Sequence, residues 1–312
     1  MKKILMPIDD SIHSIHALKY MSMLSSITDD LTYLLFHVQP IVSDYLEEEA
    51  KKDPKAMGQL KKLGEKNAAH GREVLNRYKE RMMQINIPEE KIELSTQRRI
   101  EGIARDIIHQ AYRESVDAIA MGRRGFSKLQ ESFIGSTTKN VIDHTTDIPV
   151  WVVDGEIITR DILLAVDGST DSFRALEHLC SVLKPDPDVK LTLFHVQPSL
   201  RDCCGIDSAA RTDQGDDELI SCFIKVNRQC IDNFAQRAIY RLKQSKIPED
   251  RVAIKIHPTN VNIGRSIVEE FKNGRYGTLV VGKRGVNKRF FMGSISHYLI
   301  THLGNGALWV VP

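Results

Sequence analysis

Five short stretches of this 312-residue chain occur twice, in the same order. ILMPIDDS (4–11) returns as ILLAVDGS (162–169), and LFHVQP (35–40) returns unchanged at 193–198. IPEEKI (87–92) returns as IPEDRV (247–252), MGRRG (121–125) as VGKRG (281–285), and PVWVV (149–153) as ALWVV (307–311). Shared order with small changes of spacing is the mark of duplication followed by local insertion and deletion. Both halves must therefore fold the same way, and each must do so in about 155 residues, an ordinary domain size.

Within a half, short apolar runs alternate with helical periodicity. Lys3 to Ile8 is a bounded apolar run; Ser11 then stands where it can cap a helix whose apolar positions are Ile12, Ile15, Leu18 and Met21. Leu31 to Val38 is a second run and Lys91 to Ser95 a third, with a long charged stretch of helical composition between them. Ile100, Ile103, Ile107, Ile108 and Ala111 predict the next amphipathic helix, with Ile263, Ile267 and Val268 as its second-half counterparts. Val116 to Met121 and Val150 to Val153 complete five strands. Strands that are apolar on both faces and alternate with helices make a parallel sheet covered on both sides. The expectation is an α/β fold: two tandem flavodoxin-like, Rossmann-like doubly wound domains, each with a five-stranded parallel sheet, over residues 1–154 and 160–312.

In such sheets ligands bind beyond the carboxyl ends of the strands, where strand order reverses. Three segments of each half reach that edge: the turn after the first strand (Asp9, Asp167), the end of the second (His37-Val38, His195-Val196) and a glycine loop after the fourth. In the first half that loop reads Gly122-x2-Gly125, nine residues, then Gly135-Ser136-Thr137 leading into a helix. Glycines let backbone N–H groups approach an anion closely, and a helix N-terminus adds unpaired donors and the positive end of a dipole. Arg123, Arg124 and Lys128 could supply positive charge there, in a direction that the sequence does not fix. The same spacing also serves a turn with a helix cap and no ligand, and duplication copies structural glycines as faithfully as functional ones.

Taken together, the Gly-x2-Gly-x9-Gly-Ser/Thr loop, the PIDDS first-strand end, the FHV second-strand end and the closing PVWVV strand resemble the universal stress protein family in a tandem two-domain form. The resemblance covers nearly the whole chain. It implies that Pro7, Asp9 and Val38 surround an adenosine, and that Gly122, Gly125, Gly135, Ser136 and Thr137 hold the phosphates of ATP or ADP, accompanied by Mg2+. In the second half it points to Asp167, Val196, Gly282, Gly285, Gly293 and Ser294. That half departs from the pattern: Ala165 replaces Pro7, Gly168 replaces Asp10, Ile295 replaces Thr137, and the loop is two residues shorter. The first half is therefore expected to be the more competent. The resemblance also implies a stress-response sensor or adaptor whose two domains form an intramolecular pseudo-dimer through PVWVV and ALWVV, with a homodimer of whole chains as a further step.

Other chemistry finds less support. No Gly-x-Ser-x-Gly elbow and no Gly-Lys-Ser/Thr P-loop is present, so acyl transfer and Walker-type hydrolysis have no motif; at most weak ATP hydrolysis is expected, and no catalytic residue is assigned. Asp9-Asp10 resembles the acidic pair of receiver domains, but STQRR and VVDGE lack the phospho-acceptor Asp and the Lys that those domains need after the third and fifth strands. His37 and His195 read as packed edge histidines. The five cysteines, Cys180, Cys203, Cys204, Cys222 and Cys230, have no metal spacing and read as free thiols. Lys plus Arg number 43 against 41 Asp plus Glu, a balance that does not draw the chain to nucleic acid. The N-terminal apolar run is short and meets Asp9-Asp10, and no apolar stretch is long enough to span a membrane, so a cytoplasmic location is expected. The remaining alternatives are a slow ATPase and a nucleotide-free interaction module of the same fold.

Overall fold

A computed structural model describes residues 1–28, 31–124, 134–184, 186, 188–197, 215–258, 262–284 and 293–312, and divides the chain into units Met1–Asp154 and Gly155–Pro312. The first unit runs β1 (Lys2–Pro7), α1 (Ile12–Ser26), β2 (Leu31–Gln39), α2 (Asp44–Lys52), α3 (Pro54–Gln84), β3 (Ile92–Arg98), α4 (Ile103–Arg113), β4 (Ala118–Gly122), α5 (Ser136–His144) and β5 (Val150–Asp154). The second runs β6 (Ile162–Ala165), α6 (Thr170–Val182), β7 (Leu191–Gln197), α7 (Gly215–Gln244), β8 (Val252–Pro258), α8 (Ile263–Asn273), β9 (Thr278–Gly282), α9 (Ser294–His302) and β10 (Gly306–Val311). The five described strands of the first unit lie in the order β3-β2-β1-β4-β5 and those of the second in the order β8-β7-β6-β9-β10, and within each unit all neighbours pair in parallel. Both are flavodoxin-like sheets whose order reverses beside the first strand, between β1 and β4 and between β6 and β9.

The central strands are apolar because helices cover both faces. Ile4, Leu5 and Met6 of β1 and Leu163 and Leu164 of β6 are inaccessible to solvent, as are Trp151 of β5 and Trp309 of β10. The helix starts follow local chemistry. Ser11 caps α1 by accepting from Ser14 N, and Ser169 does the same for α6 through Ser172 N. The charged stretch after β2 becomes two helices, because Asp53 adopts an extended backbone, caps Lys55 N and is followed by Pro54, which suits a first turn.

One periodicity expectation needs correction. Helix α4 begins at Ile103, and Ile100 lies before it, 73% exposed. Gly102 turns the chain with φ 140°, and the buried Asp106 carboxylate accepts from Ile100 N (3.0 Å) and Glu101 N (3.1 Å), folding the approach back on the helix. Apolar spacing cannot report a carboxylate that organises the preceding turn.

Candidate functional site

The turn after the first strand is built identically in the two units. Asp9 Oδ1 accepts from Ser11 N (3.1 Å) and from Ser14 Oγ (2.7 Å); Asp167 Oδ1 accepts from Ser169 N (3.0 Å) and from Ser172 Oγ. Each aspartate thus spends an oxygen on fixing the turn that starts the next helix. The position after it needs positive φ, +62° at Asp10 and +79° at Gly168. Asp10 is also held by Arg77 of α3 at 2.6 Å, and Tyr78 Oη of the same helix donates to Ser11 O (3.2 Å).

The second-strand ends are fastened to this turn. Pro7 pairs with Phe36, Ile8 N donates to Phe36 O (2.8 Å), and His37 Nδ1 lies 2.8 Å from Ile8 O. In the second unit Val166 N donates to Phe194 O (2.9 Å), and His195 Nδ1 lies 2.8 Å from Val166 O. His195 also meets Asn227 Oδ1 of α7 at 3.1 Å. Both histidines therefore clamp strand ends, as packed edge histidines do. Val38 is half-buried beside this turn, whereas Val196 is buried.

The glycine loop starts and ends at the same edge. Gly122 closes β4 one strand over from β1. A Cβ there would lie 2.6 Å from His13 Cβ and 2.7 Å from its backbone C and O; at Gly282 it would lie 2.9 Å from Asp171 C and 3.0 Å from Asp171 O. His13 and Asp171 are the second residues of α1 and α6, so the first loop glycine lets a helix start pack against the neighbouring strand end. Nine residues of the first loop, Gly125 among them, and residues 285–292 of the second, including Gly285, lie outside the described residues, as does Lys128.

Where the chain is described again, the loop closes on itself. Gly135 N donates to Arg123 O (2.9 Å) and Thr138 Oγ1 to Gly122 O (3.0 Å); Gly293 N donates to Lys283 O (3.0 Å) and Ser296 Oγ to Gly282 O (3.0 Å). Gly135 and Gly293 are the N-caps of α5 and α9 and offer no side chain to cap them. The first-turn amides, Ser136 and Thr137 among them, thus have no intrahelical acceptor and face the loop edge. Ser136 and Ser294 are exposed and Thr137 is half-buried. Thr138 and Ser296, which tie each helix start to its strand, escaped the sequence reading; their only signal was a hydroxyl two residues after each Gly-Ser step.

The structure fixes the direction of Arg123 at this edge. Its side chain is buried and donates to Asp154 Oδ2 at 2.7 Å, and its N–H is spent on Val153 O (2.9 Å). It braces the loop against β5, so its charge is engaged by Asp154. Asp154 also lies 3.9 Å from His13 Nδ1. Burial pushes the His13 pKa below the ordinary histidine value, Asp154 opposes that shift, and Arg124 and His16 reinforce it. Among the described residues no group of three His, Cys, Asp or Glu side chains is placed to hold a metal ion, and no helix is long and apolar enough to cross a membrane.

Comparison with known proteins agrees with this architecture. The profile of the universal stress protein family matches residues 1–154 and again 159–308, and the chain belongs to that family, in its tandem form. A universal stress protein from Archaeoglobus fulgidus superposes with a TM-score of 0.62 at 20% identity, covering 99% of this chain and 97% of the other. A functionally unassigned protein from Pseudomonas aeruginosa gives 0.59 at 11% identity, covering 100% and 92%. A universal stress protein solved in complex with cAMP aligns with 49% of this chain and 96% of its own at 18% identity and a TM-score of 0.35. A search of curated proteins returned no significant match.

Proposed function

We propose that the chain binds an adenine nucleotide, ATP or ADP, at the carboxyl edge of its first unit and works as a stress-response sensor or adaptor. The observation that carries this reading is the start of α5: an uncapped helix N-terminus at Gly135, held against the end of β4 by Thr138 and placed where the strand order reverses. Its amides and the Ser136 and Thr137 hydroxyls fit a phosphate group. Pro7 and Val38 supply the apolar wall for a base, and Asp9 orders the turn between them. Gly122 has a packing role that needs no ligand, so the reading rests on Gly135 and α5. The described residues offer no carboxylate cage for Mg2+, so the ion would be carried mainly by the phosphates. In the second unit Asp167, Val196, Gly282, Gly293 and Ser294 repeat the arrangement in part.

With no general base placed beside the phosphate position among the described residues, the role proposed is binding rather than turnover. The test is to purify the chain without added nucleotide, denature it and identify released nucleotides by mass spectrometry, then titrate ATP, ADP and cAMP into the stripped protein. Retained or saturable adenine nucleotide, lost in Gly135→Val with the fold intact, supports the proposal. No release and no rise in melting temperature with any of the three would make the chain a nucleotide-free interaction module. Multiple turnover of ATP would make it an ATPase.

A further inference from the structure

The second unit keeps two arginines of its long helix and has lost acids that stand beside their counterparts. Aligning IPEEKI with IPEDRV places Arg237, Tyr240 and Arg241 of α7 at Arg77, Glu80 and Arg81 of α3. Aligning ILMPIDDS with ILLAVDGS places Gly168 at Asp10 and Phe173 of α6 at Ile15. In the first unit Arg77 holds Asp10 at 2.6 Å. Gly168 offers no carboxylate, and the Arg237 guanidinium lies instead over the Phe173 ring, 4.3 Å from its centroid. Arg241 donates from Nη1 to the neutral Ser245 Oγ (2.6 Å). Among the described residues neither arginine is ion-paired, although the exposed Glu177 of α6 is near enough to act, with Arg241, on the Cys180 thiol.

These side chains wall a cleft of about 370 Å³ between α6 and α7, lined by Phe173, Gln236, Arg237, Tyr240, Arg241 and Gln244. That volume is in the range of small-molecule sites. Like charges four residues apart on a helix cost stability, and the lining holds no acid to offset them. Stacking on Phe173 and the hydrogen bond to Ser245 orient the two guanidiniums without neutralising them. Planar guanidinium forks suit the oxygens of a phosphate. Phe173 is half-buried and Tyr240 is 66% exposed, so ring faces stand beside the charge for an aromatic body to pack on.

We propose that this cleft binds a small aromatic dianion, an aryl phosphate in its simplest form, with the phosphate on Arg237 and Arg241 and the ring against Tyr240 and Phe173. Two guanidiniums balance the charge of a phosphate monoester near neutral pH. The first unit lacks the same capacity, because Asp10 engages Arg77, Glu80 stands where Tyr240 does, and Ile15 replaces the Phe173 ring. None of the lining residues belongs to the glycine loop or to the strand ends assigned above to a nucleotide, so the proposal stands apart from that reading.

The test is isothermal titration of the full chain with phenyl phosphate, and with inorganic phosphate and phenol as its two halves. Saturable binding of phenyl phosphate is expected, about tenfold or more tighter than either half. Arg237→Gln and Arg241→Gln should each weaken it by about tenfold, the worth of a charge-assisted hydrogen bond. Tyr240→Ala should weaken it by about threefold through the lost ring contact, and Tyr240→Glu, which restores the first unit's residue, should abolish it. Arg237 and Tyr240 are exposed, and circular dichroism with melting temperature serves as the fold control for their variants. Gly135→Val, at the nucleotide position of the first unit, should leave phenyl phosphate binding unchanged. No saturable binding, an affinity no better than that of inorganic phosphate, binding that survives both Arg237→Gln and Tyr240→Glu, or binding lost in Gly135→Val would each overturn the proposal.

Discussion

A methyl group on Gly122 would collide with both the side chain and the backbone of His13, whereas one on Gly282 meets Asp171 some 0.3 Å farther away. Gly122→Ala is therefore expected to lower stability by about 1–3 kcal/mol, the usual cost of overpacking, and Gly282→Ala by less. Thermal unfolding of the two variants checks the order; equal melting temperatures would show that α1 yields easily. The same corner carries a pH dependence. The folded pKa of His13 is depressed below the unfolded value of about 6.5, so the unfolded chain takes up its proton first as pH falls. Stability contributed by neutral His13 is complete above that unfolded value and is lost as pH drops through it toward the folded pKa. Asp154, Arg124, His16 and Asp9 are the groups acting on His13. His13→Asn should consequently lose less melting temperature than the wild type between neutral pH and pH about 5. The sequence showed the glycine but not its neighbour: the identity of the residue that Gly122 must admit depends on how α1 crosses β4, which no local pattern encodes.

Helix α3 shows what is and is not legible at the scale of an element. Its charge-rich composition predicts a helix, and most of its positions are exposed. The glycines inside it carry opposite meanings. Gly58 has nothing within 4 Å of a Cβ position, while Gly71 has Thr96 Oγ1 at 2.8 Å and His37 Cδ2 at 3.0 Å. Gly58→Ala should stabilise the unit by up to about 1 kcal/mol, the helix-propensity gain. Gly71→Ala should destabilise it, because the clash with β3 and β2 outweighs the same gain. Chemical denaturation of the two variants decides this; stabilisation by both would mean that α3 is free to lift from the sheet. Strands fared better than helix contacts, since β1, β2, β4 and β5 are apolar runs whose length and punctuation suffice. The start of α4 was misplaced because the Asp106 carboxylate acts through three-dimensional proximity to Ile100 and Glu101.

At the scale of the molecule, duplication gave two frameworks that have diverged at the edge where a ligand would sit. The turn hydrogen bonds, the strand-end histidines and the loop closures are all retained in both units. What differs is cover. His37 and Val38 are half-buried, whereas His195 and Val196 are buried, with Asn227 of α7 bonded to His195 and Cys230 against Gly168, where a Cβ would lie 2.6 Å from its Sγ. The loop that would arch over phosphates is also shorter by two residues in the second unit. On the proposed function, the nucleotide should therefore saturate at one per chain. Gly135→Val should abolish binding, and Gly293→Val should leave both affinity and stoichiometry unchanged. Isothermal titration of the stripped protein distinguishes the cases. Two nucleotides per chain, with each variant removing one, would mean that the second unit accommodates the ligand by moving α7, and that the divergence between the halves serves something other than binding.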